Sequence, residues 1–140
     1  EAFECKHRAI IGELVCKFIL LYRQAAAIVC DAKFRDAGAL LRENYPIWCT
    51  GFTPVGCFNT KPEKSLDAKI IEQHKSMYDG AIAVCDDCGV VIIPKECHTE
   101  EFYQKLVHIE EQEDIWFNRL DHYKENTFEI VCLKKYLSEQ

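Results

Sequence analysis

Apolar and polar residues follow one another along the first half of the chain in blocks that predict both helices and strands. Ala9–Tyr22 has apolar residues at helical spacing and is predicted as one helix. Ala25–Cys30 is a continuous apolar run, which predicts a strand buried on both faces. We expect a loop over Ala32–Arg35 and, with Asp36 as its N-cap, a second helix over Ala37–Glu43.

The middle of the chain predicts strands separated by polar loops. Ile47–Cys49 follows a Tyr-Pro pair and is predicted as a strand. Lys61–Lys75 mixes acidic and basic residues with little periodicity and is predicted to be mostly loop. Ala81–Cys85 and Gly89–Ile93 are apolar runs joined by a short polar turn, which indicates a β-hairpin.

The last third of the chain predicts helices. A long helix is expected to begin at Thr99 and to run to about Tyr123. Its apolar stripe consists of Phe102, Leu106, Ile109, Trp116, Phe117 and Leu120. Asn126 and Thr127 then cap a shorter helix that ends near Leu137. This succession of helices and strands indicates the α/β class, and no repeat or linker divides residues 1–140, so we expect one domain.

Composition and charge argue against several classes of protein. The net charge is −6, and the lysines and arginines are spread among acids, which disfavours direct binding to nucleic acid. No apolar run approaches the length of a membrane span. Most of the nine cysteines lie inside apolar runs, where free thiols behave as small hydrophobic groups. We therefore expect an intracellular protein in a reducing compartment, either cytoplasm or organelle.

The strongest candidate for chemistry is the pair Arg35 and Asp36. The pair follows a predicted buried strand and precedes a helix, which is where α/β folds place their sites. The Arg35 guanidinium is suited to a carboxylate, and Asp36 offers oxygen ligands to a hard cation such as Mg²⁺. The alternative is that Asp36 only caps the helix and that Arg35 is a solvated surface charge.

Two further candidates have structural alternatives of their own. Gly12 beside Glu13 allows a ligand to approach free backbone N–H groups near a helix start, but a chance glycine in an amphipathic helix fits equally. Glu113 falls within the apolar stripe of the long helix, with Glu110 one turn before it. A carboxylate there is paired, bound to metal or at the edge of the stripe.

Four blocks of the chain, in order, resemble a known family. Gly12-Glu13-Leu14 followed by Ala27–Asp36 resembles the family's "GEL … GVVIDGAVRD" stretch. Pro46–Pro54 is similar to "PVFARGVTP", and Asp79–Pro94 is similar to "GDLVVADDDGVVVVP". The family is the one named for the regulator of ribonuclease activity A (RraA-like).

The resemblance implies a fold and an assembly. The expected fold is a compact, layered β/β/α domain of the swivelling type with C-terminal helices. Relatives carry additional chain before the Gly12-Glu13 segment, so we expect this domain to lack its N-terminal portion. Family members form trimers, sometimes paired into hexamers, with sites between subunits. Lys33 and Phe34 replace the small residues that are usual in the family, and we expect these bulky side chains to crowd the pocket.

The resemblance also implies an activity, because the family includes aldolases of 4-hydroxy-4-methyl-2-oxoglutarate that also decarboxylate oxaloacetate. Arg35 would then bind the small oxo-acid substrate and stabilise the enolate, and Asp36 would ligate Mg²⁺ or Mn²⁺. Glu13 would reach the metal through water. The N–H groups of Leu14 and Val15, next to Gly12, would hold a substrate carboxylate. A Glu of the neighbouring subunit would complete the site, with Glu113 as first candidate and Glu110 as second.

Two functions therefore stay open. The first is a metal-dependent, pyruvate-releasing lyase that acts on small oxo-dicarboxylic acids. The second is a non-catalytic regulator that binds protein partners such as RNA-degradation machinery, since an acidic protein suits a basic partner surface.

Overall fold

The computed structural model describes residue 2, residues 5–57 and residues 66–139. The described chain forms two units, one ending at Ile92 and the other beginning at Ile93. The first contains both helices and strands, whereas the second is almost entirely helical. The mixed helix and sheet content agrees with the predicted α/β class. The layered arrangement of the swivelling type and the single domain stay predictions.

The first apolar segment divides into a strand and a helix, so the prediction of one helix over Ala9–Tyr22 is wrong at its start. Strand β1 is Ala9–Ile11, helix α1 is Glu13–Lys17, and Phe18–Tyr22 continues α1 as a π-helical turn. The division falls at Gly12, whose backbone is extended (φ −138°, ψ −165°) and thus ends the strand without entering the helix.

Three short strands and one helix follow in the first unit. Their bounds are β2 Ile28–Val29, β3 Lys33–Phe34, α2 Ala37–Arg42 and β4 Ile47–Trp48. The predicted loop over Ala32–Arg35 is thus wrong at β3. The prediction that the Ala25–Cys30 strand is buried on both faces is also wrong, because Val29 is 43% exposed. Only one face of β2 packs on the core, as the alternation of side chains along a strand requires.

The strands pair in parallel. β1 pairs with β3, with Ala9 opposite Lys33 and Ile11 opposite Phe34. β2 pairs with β4, with Ile28 opposite Ile47. The core of this unit is formed by Cys16, Phe34 and Leu40, and partly buried residues of both strand pairs pack against it. Residues of α1, α2 and both strand pairs thus share one core.

The rest of the first unit is a helix and a hairpin. Helix α3 is Ala68–Tyr78, so the predicted loop is wrong over residues 68–75, and residues 61–65 of that prediction lie outside the described chain. Strands β5 Ile82–Asp86 and β6 Gly89–Ile93 pair as the predicted hairpin. The Asp86 side chain accepts hydrogen bonds from the N–H groups of Cys88 and Gly89, which fixes the turn.

The second unit is dominated by helix α4, Glu100–Tyr123, as predicted. Thr99 caps it, because its hydroxyl accepts a hydrogen bond of 3.2 Å from the Phe102 N–H. The predicted shorter helix consists of two pieces, a π-helical turn Phe128–Cys132 and a 3₁₀ helix Lys135–Glu139. Among the described residues, no helix combines the length and the apolar character that crossing a membrane requires.

Candidate functional site

Phe34 fixes the backbone on which the candidate site is built. Its N–H donates to the Gly51 carbonyl at 3.0 Å, and its own carbonyl accepts from the Thr53 N–H at 2.9 Å. The Arg35 N–H then donates to the Ile11 carbonyl at 3.1 Å. The Phe34 ring is fully buried in the core. The chain that carries Arg35 and Asp36 is therefore held from two sides by backbone hydrogen bonds and anchored by a buried ring.

Asp36 connects the starts of two helices. Its carbonyl oxygen accepts hydrogen bonds from the N–H groups of Ala39 and Leu40 in α2. Its carboxylate does not cap α2 as predicted; instead, Oδ2 accepts a hydrogen bond of 3.0 Å from the Glu13 N–H at the start of α1. The left-handed backbone of Asp36 (φ 61°, ψ 36°) turns its side chain away from its own helix, and Asp tolerates this conformation better than most residues.

Gly12 lies directly against both candidate side chains. A β-carbon built on Gly12 would overlap the Asp36 carboxylate and would lie 2.6 Å from Arg35 Cγ and 2.8 Å from Arg35 Nε. These distances are shorter than van der Waals contact, so only glycine fits without displacing a neighbour. The Gly12-Glu13 and Arg35-Asp36 segments were separate candidates by residue pattern, and only the family resemblance implied one shared site. In the structure they meet in space.

Arg35 and Asp36 interact with each other and face an open cavity. Arg35 Nε lies 3.5 Å from Asp36 Oδ2, and their side chains are 49% and 43% exposed. The cavity has a volume of about 280 Å³, and among the described residues its wall contains no charged side chain besides these two. Its wall consists of Arg35, Asp36, Ala37, Phe52, Thr53 and Pro54. A cation and a carboxylate thus sit side by side within reach of a small solute.

The start of α1 adds backbone donors beside the pair. The first hydrogen bond within the helix runs from the Cys16 N–H to the Gly12 carbonyl at 3.1 Å. The N–H groups of Leu14 and Val15 precede it and so have no acceptor inside the helix. The Leu14 side chain is 82% exposed. These backbone N–H groups are of the kind that binds a carboxylate.

Comparison with known protein families gives a match, and it covers the part of the chain that contains these residues. The family described as RraA-like (Aldolase/RraA) matches the chain over residues 2–92. The chain belongs to the RraA-like family. The match contains β1, α1, β3 and α2, and it ends where the first unit ends. Neither a curated protein nor a solved structure matches the chain.

Glu13, the acidic residue of this RraA-like Gly-Glu segment, is engaged locally. Its carboxylate lies 3.3 Å from Lys17 Nζ, one helical turn later in α1. The hydrogen bond to Glu13 raises the pKa of Lys17. Both side chains are more than a third exposed, so this ion pair contributes little to stability. The backbone of Glu13 contacts Asp36, whereas its side chain is paired with Lys17.

Cys16 lies in α1, three residues after Glu13, and belongs to the core of the first unit. Its side chain is fully buried in the core. Burial, with smaller contributions from the nearby Cys49 and Asp36, raises the pKa of the Cys16 thiol to about 11. Cys16 is therefore a neutral packing group at physiological pH and no nucleophile.

Glu110 and Glu113 lie on α4, in the unit that begins at Ile93, and both are exposed. Glu113 stands at the rim of a cavity of about 200 Å³ whose other walls are mainly apolar. Its position fits the edge of the apolar stripe, one of the three alternatives open from the sequence. A contribution of either Glu to a neighbouring subunit's site stays a prediction.

The sequence did not identify three residues of the cavity wall, and it placed Phe34 in the pocket by mistake. Phe52, Thr53 and Pro54 line the cavity, and the signal for them was the Pro46–Pro54 block of the resemblance, in which no residue was singled out. The expectation that Phe34 crowds the pocket is wrong, because its ring is buried in the core. Lys33 likewise is not part of the cavity wall.

Proposed function

We propose that this RraA-like protein is a divalent-metal-dependent, pyruvate-releasing lyase, of the class II aldolase or oxaloacetate decarboxylase type. The observation that carries the proposal is the contact of Gly12 with both Arg35 and Asp36. Arg35 and Asp36 line one cavity, and the start of α1 lies beside them because the Glu13 N–H donates to Asp36. The cavity volume of about 280 Å³ suits a small oxo-diacid, which is the substrate class we propose.

The chain's own groups are suited to bind an oxo-diacid by both of its ends. The N–H groups of Leu14 and Val15 would hold one carboxylate at the start of α1. The planar guanidinium of Arg35, on the cavity wall, would hold the oxygens at the reacting end. As the bond next to the ketone breaks, negative charge grows on the oxo oxygen, and Arg35 would stabilise that charge in place.

A site with one carboxylate ligand suits a divalent cation that retains most of its water ligands. Asp36 uses Oδ2 in both contacts described above, and neither contact involves Oδ1. The described residues contain no group of three or more His, Cys, Asp or Glu side chains arranged to hold a metal. This donor set suits Mg²⁺ or Mn²⁺ held through one carboxylate and water, not an all-protein cage. When bound there, such an ion would supply further electrostatic stabilisation of the developing enolate.

Asp36 would hold the cation, and its contact with Glu13 would keep its carboxylate fixed. The Glu13 side chain would reach the hydrated ion only after leaving Lys17. Glu113 of a neighbouring copy, or Glu110, would add a second carboxylate from outside the subunit.

The test is pyruvate release from oxaloacetate and from 4-hydroxy-4-methyl-2-oxoglutarate with Mg²⁺ or Mn²⁺, against an EDTA control. We expect metal-dependent turnover that falls about 100-fold or more in Asp36→Asn and in Arg35→Ala. Asn tolerates the left-handed backbone of Asp36, so the first variant removes charge and leaves the shape. Asp87→Asn, in the hairpin turn, is the matched control and should retain activity. Full turnover in Asp36→Asn would refute the site.

A second function is favoured by one contact. The Glu13 carboxylate is already paired with the ammonium group of Lys17 in its own helix. That pairing suits a non-catalytic RraA-like regulator that binds a protein partner, and the net charge of −6 suits a basic partner surface. Absence of turnover in a folded oligomer under all metal conditions would favour this function over the lyase.

A further inference from the structure

Cys30 and Cys49 lie at the ends of two paired strands. In the register of β2 and β4, Ile28 is opposite Ile47 and Val29 is opposite Trp48. The hydrogen bond from the Cys30 N–H to the Trp48 carbonyl, 2.8 Å long, continues this ladder. The ladder ends there, because the next N–H, that of Thr50, donates to the Ala32 carbonyl and not to that of Cys30. Cys30 and Cys49 are thus the first residues beyond the two paired strand ends. Neighbouring strands are about 4.8 Å apart, which lies within the span that a disulfide bridges.

Both thiols are on the same face of the strand pair. Ile28, Cys30, Ile47 and Cys49 all pack against the core, as alternate residues of a strand must when one face is buried. Cys16 belongs to the same core, so three free thiols share one region. Cys16 is fully buried, whereas Cys30 and Cys49 are partly exposed.

One of the two thiols is open to a small solute. Cys30 lines a cavity of about 300 Å³ together with Val29, Asp31, Tyr78 and Ile92. A molecule of the size of a hydroperoxide fits this space easily. Cys49 is not part of that wall, and its thiol donates to the Gly51 carbonyl at 3.4 Å. Cys30 is therefore placed to react first, and Cys49 is placed to react with it second.

We propose that Cys30 and Cys49 form a reversible disulfide when the protein meets a hydroperoxide. The Cys30 thiolate attacks the peroxide O–O bond, gives a sulfenic acid and releases water or an alcohol. The Cys49 sulfur then attacks Cys30 and displaces the hydroxyl group as water. The two sulfurs lose two electrons to the peroxide, and the two thiol protons leave in the released water or alcohol molecules.

The bond would join the two segments that lead into the candidate site. Cys30 precedes the segment with Arg35 and Asp36, and Cys49 precedes the segment with Phe52 and Pro54, the two walls of the cavity. Oxidation would thus fix the spacing of these walls. Burial raises the pKa of Cys30, so the reaction should be slow near neutral pH and should accelerate with pH. The inference does not depend on the proposed lyase activity.

The test maps the bond in the full chain. The protein is reduced, desalted, treated with H₂O₂ at pH 8, blocked with N-ethylmaleimide and digested with trypsin and chymotrypsin under non-reducing conditions. Cleavage after Lys33, Trp48 and Phe52 separates Cys30, Cys49 and Cys57. We expect a peptide pair linking Cys30 to Cys49 that lacks two hydrogens and disappears on treatment with dithiothreitol.

Variants distinguish this pair from its neighbours. Cys30→Ser and Cys49→Ser should each abolish the linked peptide, whereas Cys16→Ala should retain it. The peptide map of the wild-type chain assigns the bond even if a variant fails to fold. A bond between Cys49 and Cys16 or Cys57 would overturn the proposal. So would oxidation of the exposed Cys88 with Cys30 and Cys49 both recovered as free thiols.

Discussion

At the scale of single residues, one carboxylate oxygen of Asp36 contacts the other residues of the candidate site. Asp36 Oδ2 accepts from the Glu13 N–H and lies 3.5 Å from Arg35 Nε. The same atom is the nearest neighbour of a β-carbon built on Gly12. Asp36 therefore pairs with Arg35 and accepts a hydrogen bond at the start of α1. Its carboxylate also leaves room only for glycine at position 12. A change at any of these residues is expected to disturb the others.

Gly12→Ala should destabilise the protein and impair the site. The added methyl group would overlap the Asp36 carboxylate and approach Arg35 Cγ to 2.6 Å, so the two side chains or the start of α1 must shift. We expect a loss of about 1–3 kcal/mol in the free energy of unfolding, the usual cost of overpacking. Urea denaturation measures this change, and pyruvate release should fall in parallel if the proposed lyase activity holds.

Gly38→Ala is the matched control for this substitution. Gly38 lies in α2, and a β-carbon built there meets nothing within 4 Å. Alanine is the better helix former, so this variant should be more stable by about 0.5–1 kcal/mol. Equal effects of the two substitutions would contradict the close packing of Gly12 against Arg35 and Asp36.

The family resemblance placed Arg35, Asp36, Gly12 and Glu13 in one site, but no residue pattern predicted the direct contact between the two segments. The hydrogen bond from the Glu13 N–H to Asp36 joins residues 23 positions apart, and nothing local in either segment signals it. The local rule instead predicted that Asp36 caps its own helix. The left-handed backbone at Asp36 decides otherwise, and such a conformation in a residue other than glycine is not visible in the sequence.

At the scale of elements, the long helix α4 starts at a cap that can be tested. The Thr99 hydroxyl accepts a hydrogen bond from the Phe102 N–H at 3.2 Å. Thr99→Ala leaves that N–H group without its partner and should lower the free energy of unfolding by about 1 kcal/mol. Circular dichroism during urea denaturation measures the loss.

Thr99→Ser keeps the hydroxyl group and is the control. It should retain nearly all of the wild-type stability, since serine is at least as good an N-cap as threonine. If Thr99→Ala and Thr99→Ser had the same effect, the hydroxyl group would not be the stabilising contact, and the cap would have to be assigned elsewhere.

The sequence predicts a helix or strand correctly where its apolar periodicity is long or where characteristic turn residues bound it. The helix α4 and the β5–β6 hairpin have the periodicity and the turn residues that define them. β3 has two residues, too few for any periodicity, and it exists because Phe34 pairs with Ile11 across the sheet. Helix α3 was missed because the mixed charges of Lys61–Lys75 indicated a loop, and part of its apolar face, Met77 and Tyr78, lies beyond that range.

At the scale of the whole molecule, each unit leaves much apolar surface uncovered. In the first unit Phe18 and Tyr22 are 55% and 75% exposed, and in the second Phe117 and Phe128 are 61% and 60% exposed. None of the residues of α4 is buried, although the helix carries a clear apolar stripe. Exposed patches of this kind mark surfaces that contact another protein. The stability of the chain therefore depends on what covers these surfaces.

We expect copies of this chain to cover them, in the trimer or hexamer that the resemblance implies. Sedimentation velocity should give a multiple of the chain mass at micromolar concentration, and the melting temperature should rise with protein concentration because assembly stabilises the folded state. Phe117→Asp places a charge on the exposed stripe of α4 and should weaken assembly, whereas Asn118→Asp adds the same charge at a polar position and should not. A monomer whose melting temperature is independent of concentration would contradict self-assembly and would direct attention to a different protein partner on the same surfaces.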